Sequence, residues 1–149
     1  MTKKWLPDEV STPGQLRKVH DKVREALLPR IESFPASTVP DLVAGTSKTL
    51  RSLARLTDSA ANKEGPGRAM ILDRAALEDW IPRIAAIAPD QRTLLPGITP
   101  ERTLQIVGGA IVADEVMKAF DVDRLQICPW ALREGAILRW LDTNGRVGR

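Results

Sequence analysis

Cysteine and histidine are almost missing from this 149-residue chain, which has one of each, Cys128 and His20. A lone cysteine excludes an internal disulfide and any cysteine-based zinc cluster, and a lone histidine excludes a histidine-rich metal site. Long apolar runs are missing too. No stretch reaches the roughly 18 apolar residues that a bilayer-spanning helix needs, so no membrane partner is implied. The opening Met1-Thr2-Lys3-Lys4-Trp5-Leu6-Pro7 carries basic residues with no apolar segment behind them, unlike a secretory leader. These absences predict a reduced, cytoplasmic location. Extremes of charge are absent as well: 28% charged and 43% apolar residues describe a folded domain with one core, not a disordered segment. A net charge of +3 tolerates an anionic ligand without demanding one.

What is present is mostly helical punctuation. Thr12, Pro13 and Gln15 form a capping box with proline at the first helical position, and Leu16, Val19, Val23, Ala26 and Leu27 follow at helical spacing. Pro29 should end that helix. A Ser/Pro/Thr-rich connector covers 33–39, and residues 41–45 read as a short buried strand. A helix opening at Thr46 or Ser47 turns Leu50, Leu53, Ala54 and Leu56 inward, and 58–69 reads as a surface loop. The next helix starts near Asp73, buries Leu77, Trp80, Ile81 and Ile84, and should be kinked or divided by Pro82. Thr99-Pro100-Glu101 predicts the start of the most apolar helix, buried nearly all round over 104–113. Gly108-Gly109 within it predicts close approach of another backbone. Leu125-Gln126-Ile127-Cys128 alternates as a strand, and a last helix spans 132–141 before the Asn144-Gly145 stop. The class is therefore α/β, mostly helical, with about two parallel strands and five to six helices. Two strands make a poor sheet.

The densest chemistry lies in Gly45-Thr46-Ser47-Lys48-Thr49. It follows a strand and opens a helix, where free N–H groups and the positive helix end converge, with hydroxyls and a cation added. That geometry suits a phosphate, although it lacks Walker A spacing. A glycine turn with a hydroxyl helix cap would also account for the same residues. Lys48, Arg51 and Arg55 fall at i, i+3 and i+7, either as a solvated helix face or as a polyanion track. Arg102, at the third position of the apolar helix, either faces an anion or pairs with Glu101 or Asp90. Asp114 and Glu115 read as the point where the apolar helix regains a solvent face, with a buried acid as the other reading. His20 reads as exposed, Trp130 as packing, and Arg133 and Glu134 as a structural pair. Spacing assembles no nucleophile–base pair, carboxylate dyad or metal cluster.

Three stretches, Leu95-Pro96-Gly97-Ile98-Thr99-Pro100-Glu101-Arg102, the helix with Gly108-Gly109-Ala110, and Cys128-Pro129-Trp130-Ala131-Leu132-Arg133-Glu134-Gly135, together resemble the end of the exopolyphosphatase / guanosine-pentaphosphate phosphatase family core. Ala44 to Leu50 with Leu53-Ala54-Arg55-Leu56 is similar to that family's strand–loop–helix at the interdomain cleft, and the version here is most similar to the actinobacterial branch. The resemblance spans about residues 5–142. It implies part of the second of two ribonuclease-H-like domains of the actin and sugar-kinase superfamily. Residues 1–149 would form one partial domain, with a flexible tail at 142–149. Such enzymes remove terminal phosphate from polyphosphate or guanosine pentaphosphate, using Mg2+ and a glutamate-activated water. Both glycine-rich phosphate loops and that glutamate are expected upstream of Met1, as is the antiparallel unit that would complete the sheet. The chain alone is then expected to be inactive, with no catalytic residue and no bound metal. Gly45, Thr46, Ser47, Lys48, Thr49 and Arg102 would face phosphate, and Arg51 and Arg55 would extend the track. Many members have Arg-x-Asp where this chain has Arg102-Thr103-Leu104, which leaves any role of that aspartate unfilled. Unpaired strand edges would leave the chain open to homodimerisation. The alternative is a small basic helical domain for nucleic acid or protein interaction, but the helix breaks follow the phosphatase pattern and no specific nucleic acid is expected.

Overall fold

The computed structural model describes residue 6 and residues 10–34, 40–57, 69–130 and 132–144. The connector at 35–39 and the loop at 58–68 lie outside the described residues. The elements run α1 (Pro13–Ile31), β1 (Ala44–Gly45), α2 (Lys48–Leu56), β2 (Ile71–Asp73), α3 (Arg74–Ala85), α4 (Ile106–Ala119), β3 (Arg124–Ile127) and α5 (Leu132–Asn144). Single 3-10 turns at Gln91–Leu94 and Pro100–Arg102 bridge α3 and α4. The mostly helical α/β class read from the sequence is what the chain adopts.

Local signals explain most of the boundaries. The Thr12 backbone N–H donates to Gln15 Oε1 at 2.7 Å and the Gln15 N–H donates to Thr12 Oγ1 at 3.3 Å, closing the capping box of α1. Pro29 does not end that helix, which continues to Ile31. Proline frees the carbonyl four residues back, that of Glu25, and both residues are exposed, so the lost bond does not leave a polar group sealed in the core. Pro82 likewise sits on an exposed face inside an undivided α3, four residues after exposed Glu78.

The sheet has three strands in the order β1-β3-β2. β1 runs parallel to β3, pairing Ala44 with Gln126 and Gly45 with Ile127, as the strand–helix alternation predicts. The third strand was not expected. Ile71, Leu72 and Asp73 pair antiparallel with Gln126, Leu125 and Arg124. It is three residues long, and its last residue also caps α3, accepting from the Ala76 N–H at 3.1 Å, so the helix signal hides it. β3 is therefore the centre of the sheet, not an edge.

α4 lies at the heart of the packing, against α1, α2 and α3. Ile106, Val107, Ala110, Ile111 and Met117 are buried there with Leu53, Leu72, Leu77 and Ile84. Two expectations about this segment are corrected. The α-helix starts at Ile106, after a separate 3-10 turn that holds Arg102, because Thr103-Leu104-Gln105 forms a further turn between them. Nor is it buried all round: Leu104 and Val112 stand on an exposed strip. What approaches Gly109 is a side chain, since a Cβ there would lie 2.6 Å from Thr49 Cγ2.

α5 is the outlier. Residues 133–144 are exposed throughout, including Ile137, Leu138, Trp140 and Leu141. Trp130 is exposed rather than packed, as are Arg133 and Glu134. Residues 142–144 continue the helix, and the rest of the expected tail lies outside the described residues. An exposed apolar helix and a strand at the end of the sheet each favour association. The purified chain should self-associate or bind a hydrophobic dye, measurably less after Ile137→Asp with Trp140→Asp. A monomer at high concentration that binds no dye would contradict this.

Candidate anion-binding site

The parallel pairing brings the C-terminal ends of β1 and β3 side by side, and the two loops that follow are laced together. The Cys128 N–H donates to the Gly45 carbonyl at 2.9 Å, extending the ladder by one rung. Thr46 Oγ1 donates to the Trp130 carbonyl at 2.8 Å, and Arg51 Nη2 donates to the Pro129 carbonyl at 3.1 Å. Gly45 is not a positive-φ turn residue. A Cβ there would lie 2.6 Å from Leu50 Cδ1 and 2.7 Å from Leu125 Cδ2, so its smallness serves packing.

Ser47 then caps α2 from extended backbone, its Oγ accepting from the Leu50 N–H at 2.9 Å, while the Arg51 N–H bonds the Ser47 carbonyl. The N–H groups of Lys48 and Thr49 are left directed out of the helix end, where the dipole favours negative charge. Arg102 reaches the same spot from the 3-10 turn, donating from Nη1 to Thr49 Oγ1 at 3.1 Å. The exposed Glu101 carboxyl is held below its ordinary range, first by the Thr99 hydroxyl and then by backbone hydrogen bonding and the charges of Arg102 and Lys48. Lys48 itself is exposed.

Thus the structure gathers Gly45 to Thr49 and Arg102 at one point although 53 residues separate Thr49 from Arg102. It assigns them different work from what spacing alone indicates. The Thr46 proton is committed to Trp130, Ser47 is a cap, and Arg51 is turned to Pro129. Arg55 is exposed beside Gly97, whose φ of +78° only glycine adopts without strain. The donors that remain for an anion are two amides, the Lys48 ammonium and the Arg102 guanidinium.

Spacing misses a second cluster altogether. His20 Nδ1 lies 2.7 Å from Glu115 Oε1 and 3.9 Å from Asp114 Oδ2. Arg24 Nε and Nη2 donate to Glu115 Oε2 and Oε1, both at 3.1 Å. Asp114 and Glu115 are buried, and His20 is half-covered, so neither the solvent-facing carboxylates nor the exposed histidine of the sequence reading holds. Lys118 Nζ brings charge to within 2.9 Å of Asp114 Oδ2, yet neither Asp114 oxygen meets a donor at hydrogen-bonding geometry among the described residues. The signal was available in retrospect: His20 and Arg24 are one turn apart on α1, as are Asp114 and Lys118 on α4.

These three residues could in principle gather a metal ion. Their two carboxylates, however, are already met by Arg24 and Lys118, so a divalent ion would add two charges to a balanced, half-closed site. A third feature, a cavity of ≈ 820 Å³, opens between α1, α4 and the first turn of α2. Val19, Val23, Leu50, Val112 and Val116 make its walls apolar, while Ser47 and Thr49 stand at one end. Such walls suit apolar side chains and not a phosphate chain.

Burial pushes the Glu115 carboxyl up, but hydrogen bonds and charge from His20 and Arg24 outweigh it and hold it below the ordinary 4.5. The unfolded chain then binds the proton more tightly than the folded one, so the contribution is full above about pH 4.5 and is lost as pH falls through the folded value. Glu115→Gln should melt below wild type at neutral pH, with the gap closing under acid. A gap that does not change with pH would remove Glu115 from this role.

Comparison with known proteins places these features. Residues 1–144 match the family model described as the Ppx/GppA phosphatase family. The chain is 40% identical over 144 residues to exopolyphosphatase 1 of Mycobacterium leprae, covering 97% of this chain and 42% of the relative. It is also 40% identical over 145 residues to exopolyphosphatase 1 of Mycobacterium tuberculosis, again covering 42% of it. Among solved structures, an Aquifex aeolicus Ppx/GppA family member superposes with a TM-score of 0.77 at 17% identity, over 96% of this chain and 46% of that one. An exopolyphosphatase from Cytophaga hutchinsonii gives 0.74 at 17%, over 91% and 44%. The chain therefore spans less than half the length of the relatives it matches, and the structural likeness speaks for the fold.

Proposed function

The chain belongs to the Ppx/GppA phosphatase family, and from that premise we propose that it supplies one phosphate-holding wall of an exopolyphosphatase or guanosine-pentaphosphate phosphatase. The observation that carries this reading is the convergence of Arg102 with the N-terminus of α2, through the 3.1 Å contact to Thr49 Oγ1. A terminal phosphate would take the amides of Lys48 and Thr49, the Lys48 ammonium and the Arg102 guanidinium. Arg55 would meet the next stretch of a polyanion. In this role the chain binds and orients, and the hydrolytic step belongs to the remaining part of the family fold.

The described residues do not assemble the Mg2+ site that the resemblance implies. The His20, Asp114 and Glu115 cluster is neutralised by Arg24 and Lys118, and at the loop the one carboxylate shown to feel Lys48 and Arg102 is the exposed Glu101. The resemblance assigns the water-activating glutamate to another part of the family fold, so the chain alone is expected to lack turnover, since losing a general base costs about 10²–10⁴ in rate. The reading as a nucleic-acid-binding helix gains no support from a basic stripe whose Arg51 is bonded to Pro129.

Inorganic tripolyphosphate should shift the amide signals of Lys48 and Thr49 first, in a salt-sensitive way, and Lys48→Ala should weaken the effect several-fold. Phosphate release from long polyphosphate should be absent for this chain and present for a longer chain carrying both phosphate loops. Shifts confined to Arg146 and Arg149, or turnover by the 149-residue chain that Lys48→Ala abolishes, would overturn the proposal in its present form.

A further inference from the structure

Arg92 is only 3% exposed, and no carboxylate among the described residues pairs with it. Burying an unpaired charge is costly, so its hydrogen bonds indicate what it is for. Nε donates to the carbonyls of Ile84 at 3.2 Å and Ile87 at 3.0 Å, at the C-terminal end of α3. Nη1 reaches the other way and donates to the Thr103 carbonyl at 2.6 Å. A helix C-terminus favours a cation, which explains the first two contacts. It does not explain the third, which ties α3 to the residue directly after Arg102.

We propose that Arg92 is a positioning residue for Arg102: through the Thr103 carbonyl it fixes the Pro100–Arg102 turn that aims Arg102 at the first turn of α2. The turn is stiff enough to transmit this. Thr103 is buried, its hydroxyl donates to the Pro100 carbonyl at 3.0 Å, and the Gln105 N–H donates to the Arg102 carbonyl at 2.9 Å. Its other flank is seated by Gly97, where a Cβ would lie 2.8 Å from Arg55 Cβ and 3.1 Å from the Ser52 carbonyl oxygen. The segment between Arg92 and Thr103 is thus held against α2 on one side and α3 on the other. The planar guanidinium fork holds carbonyls in two directions from separate nitrogens at fixed angles, a geometry that the single nitrogen of an ammonium does not reproduce. The inference deepens the proposed function and rests on the anion reading of the α2 terminus.

The test uses Arg92→Lys in the full 149-residue chain, with Arg92→Gln in its place should the lysine variant not fold, and two readouts. The first needs no ligand: nuclear Overhauser contacts between the Arg102 side chain and the Thr49 methyl should be present in wild type and lost in the variant. The second is tripolyphosphate affinity, expected to fall roughly tenfold, the loss for one charge-assisted hydrogen bond. It should fall no further when Arg92→Lys is combined with Arg102→Ala. A folded variant that keeps the Arg102–Thr49 contact overturns the inference, as does a loss that adds fully to that of Arg102→Ala. Wild-type chain that fails to bind tripolyphosphate while the contact still depends on Arg92 overturns the proposed anion site and leaves the positioning of Arg102 standing.

Discussion

A parallel pairing only two residues long, β1 on β3, governs the placement of the candidate site. So short a ladder is weak by itself, and it holds because both loops beyond it are stitched. The Gly45 carbonyl takes the Cys128 N–H, Thr46 takes the Trp130 carbonyl, and Arg51 takes the Pro129 carbonyl. Leu50 and Leu125 close over Gly45, where even a methyl group would collide. The consequence is a division of labour within five residues. Those that look most like phosphate chemistry hold the backbone in place, and the proposed anion would be left to amides and to cations arriving from Lys48 and Arg102.

The sequence was most legible where one physical signal acted alone. Capping and periodicity located α1, α2 and α3, since each start has a hydroxyl or carboxylate cap followed by helical spacing. Pro29 did not end its helix and Pro82 did not divide α3; at both places the residue whose carbonyl proline frees is exposed, and exposure is not written in local sequence. β2 escaped notice because Asp73 serves strand and cap at once. The loop at 45–49 was legible as a place but not as a mechanism. Arg102 does lie beside that loop, and its route to Thr49 depends on a 3-10 turn that reads locally as the start of α4.

The buried charges show a different limit. Asp114 and Glu115 lie in a helix otherwise suited to a core, and a helix with two carboxylates invites the inference of a wet face. Burial is tolerable because α1 delivers His20 and Arg24 to Glu115, and Lys118 folds back along α4 to Asp114. A carboxylate that far from neutral surroundings would otherwise cost several kcal/mol. Partners about ninety residues apart in the chain cannot be paired by spacing. Hence the network fixes the register of α1 on α4 beside Val19 and Val23, while each helix read singly shows only its own pair one turn apart.

Register of α1 on α4 matters beyond stability, because these two helices form the walls of the ≈ 820 Å³ cavity whose end is closed by Ser47 and Thr49. The helix end proposed to meet an anion and the apolar cavity are therefore neighbours. Where such amides face water, one phosphate contact is worth little after solvent screening. An apolar segment laid into the cavity would exclude water from Thr49 on its inner side and lower the local dielectric. The same donors, unmoved, would then bind charge more strongly. Weak binding by this chain and strong binding by a longer one would need no rearrangement of the loop, only a cover for the surface beside it.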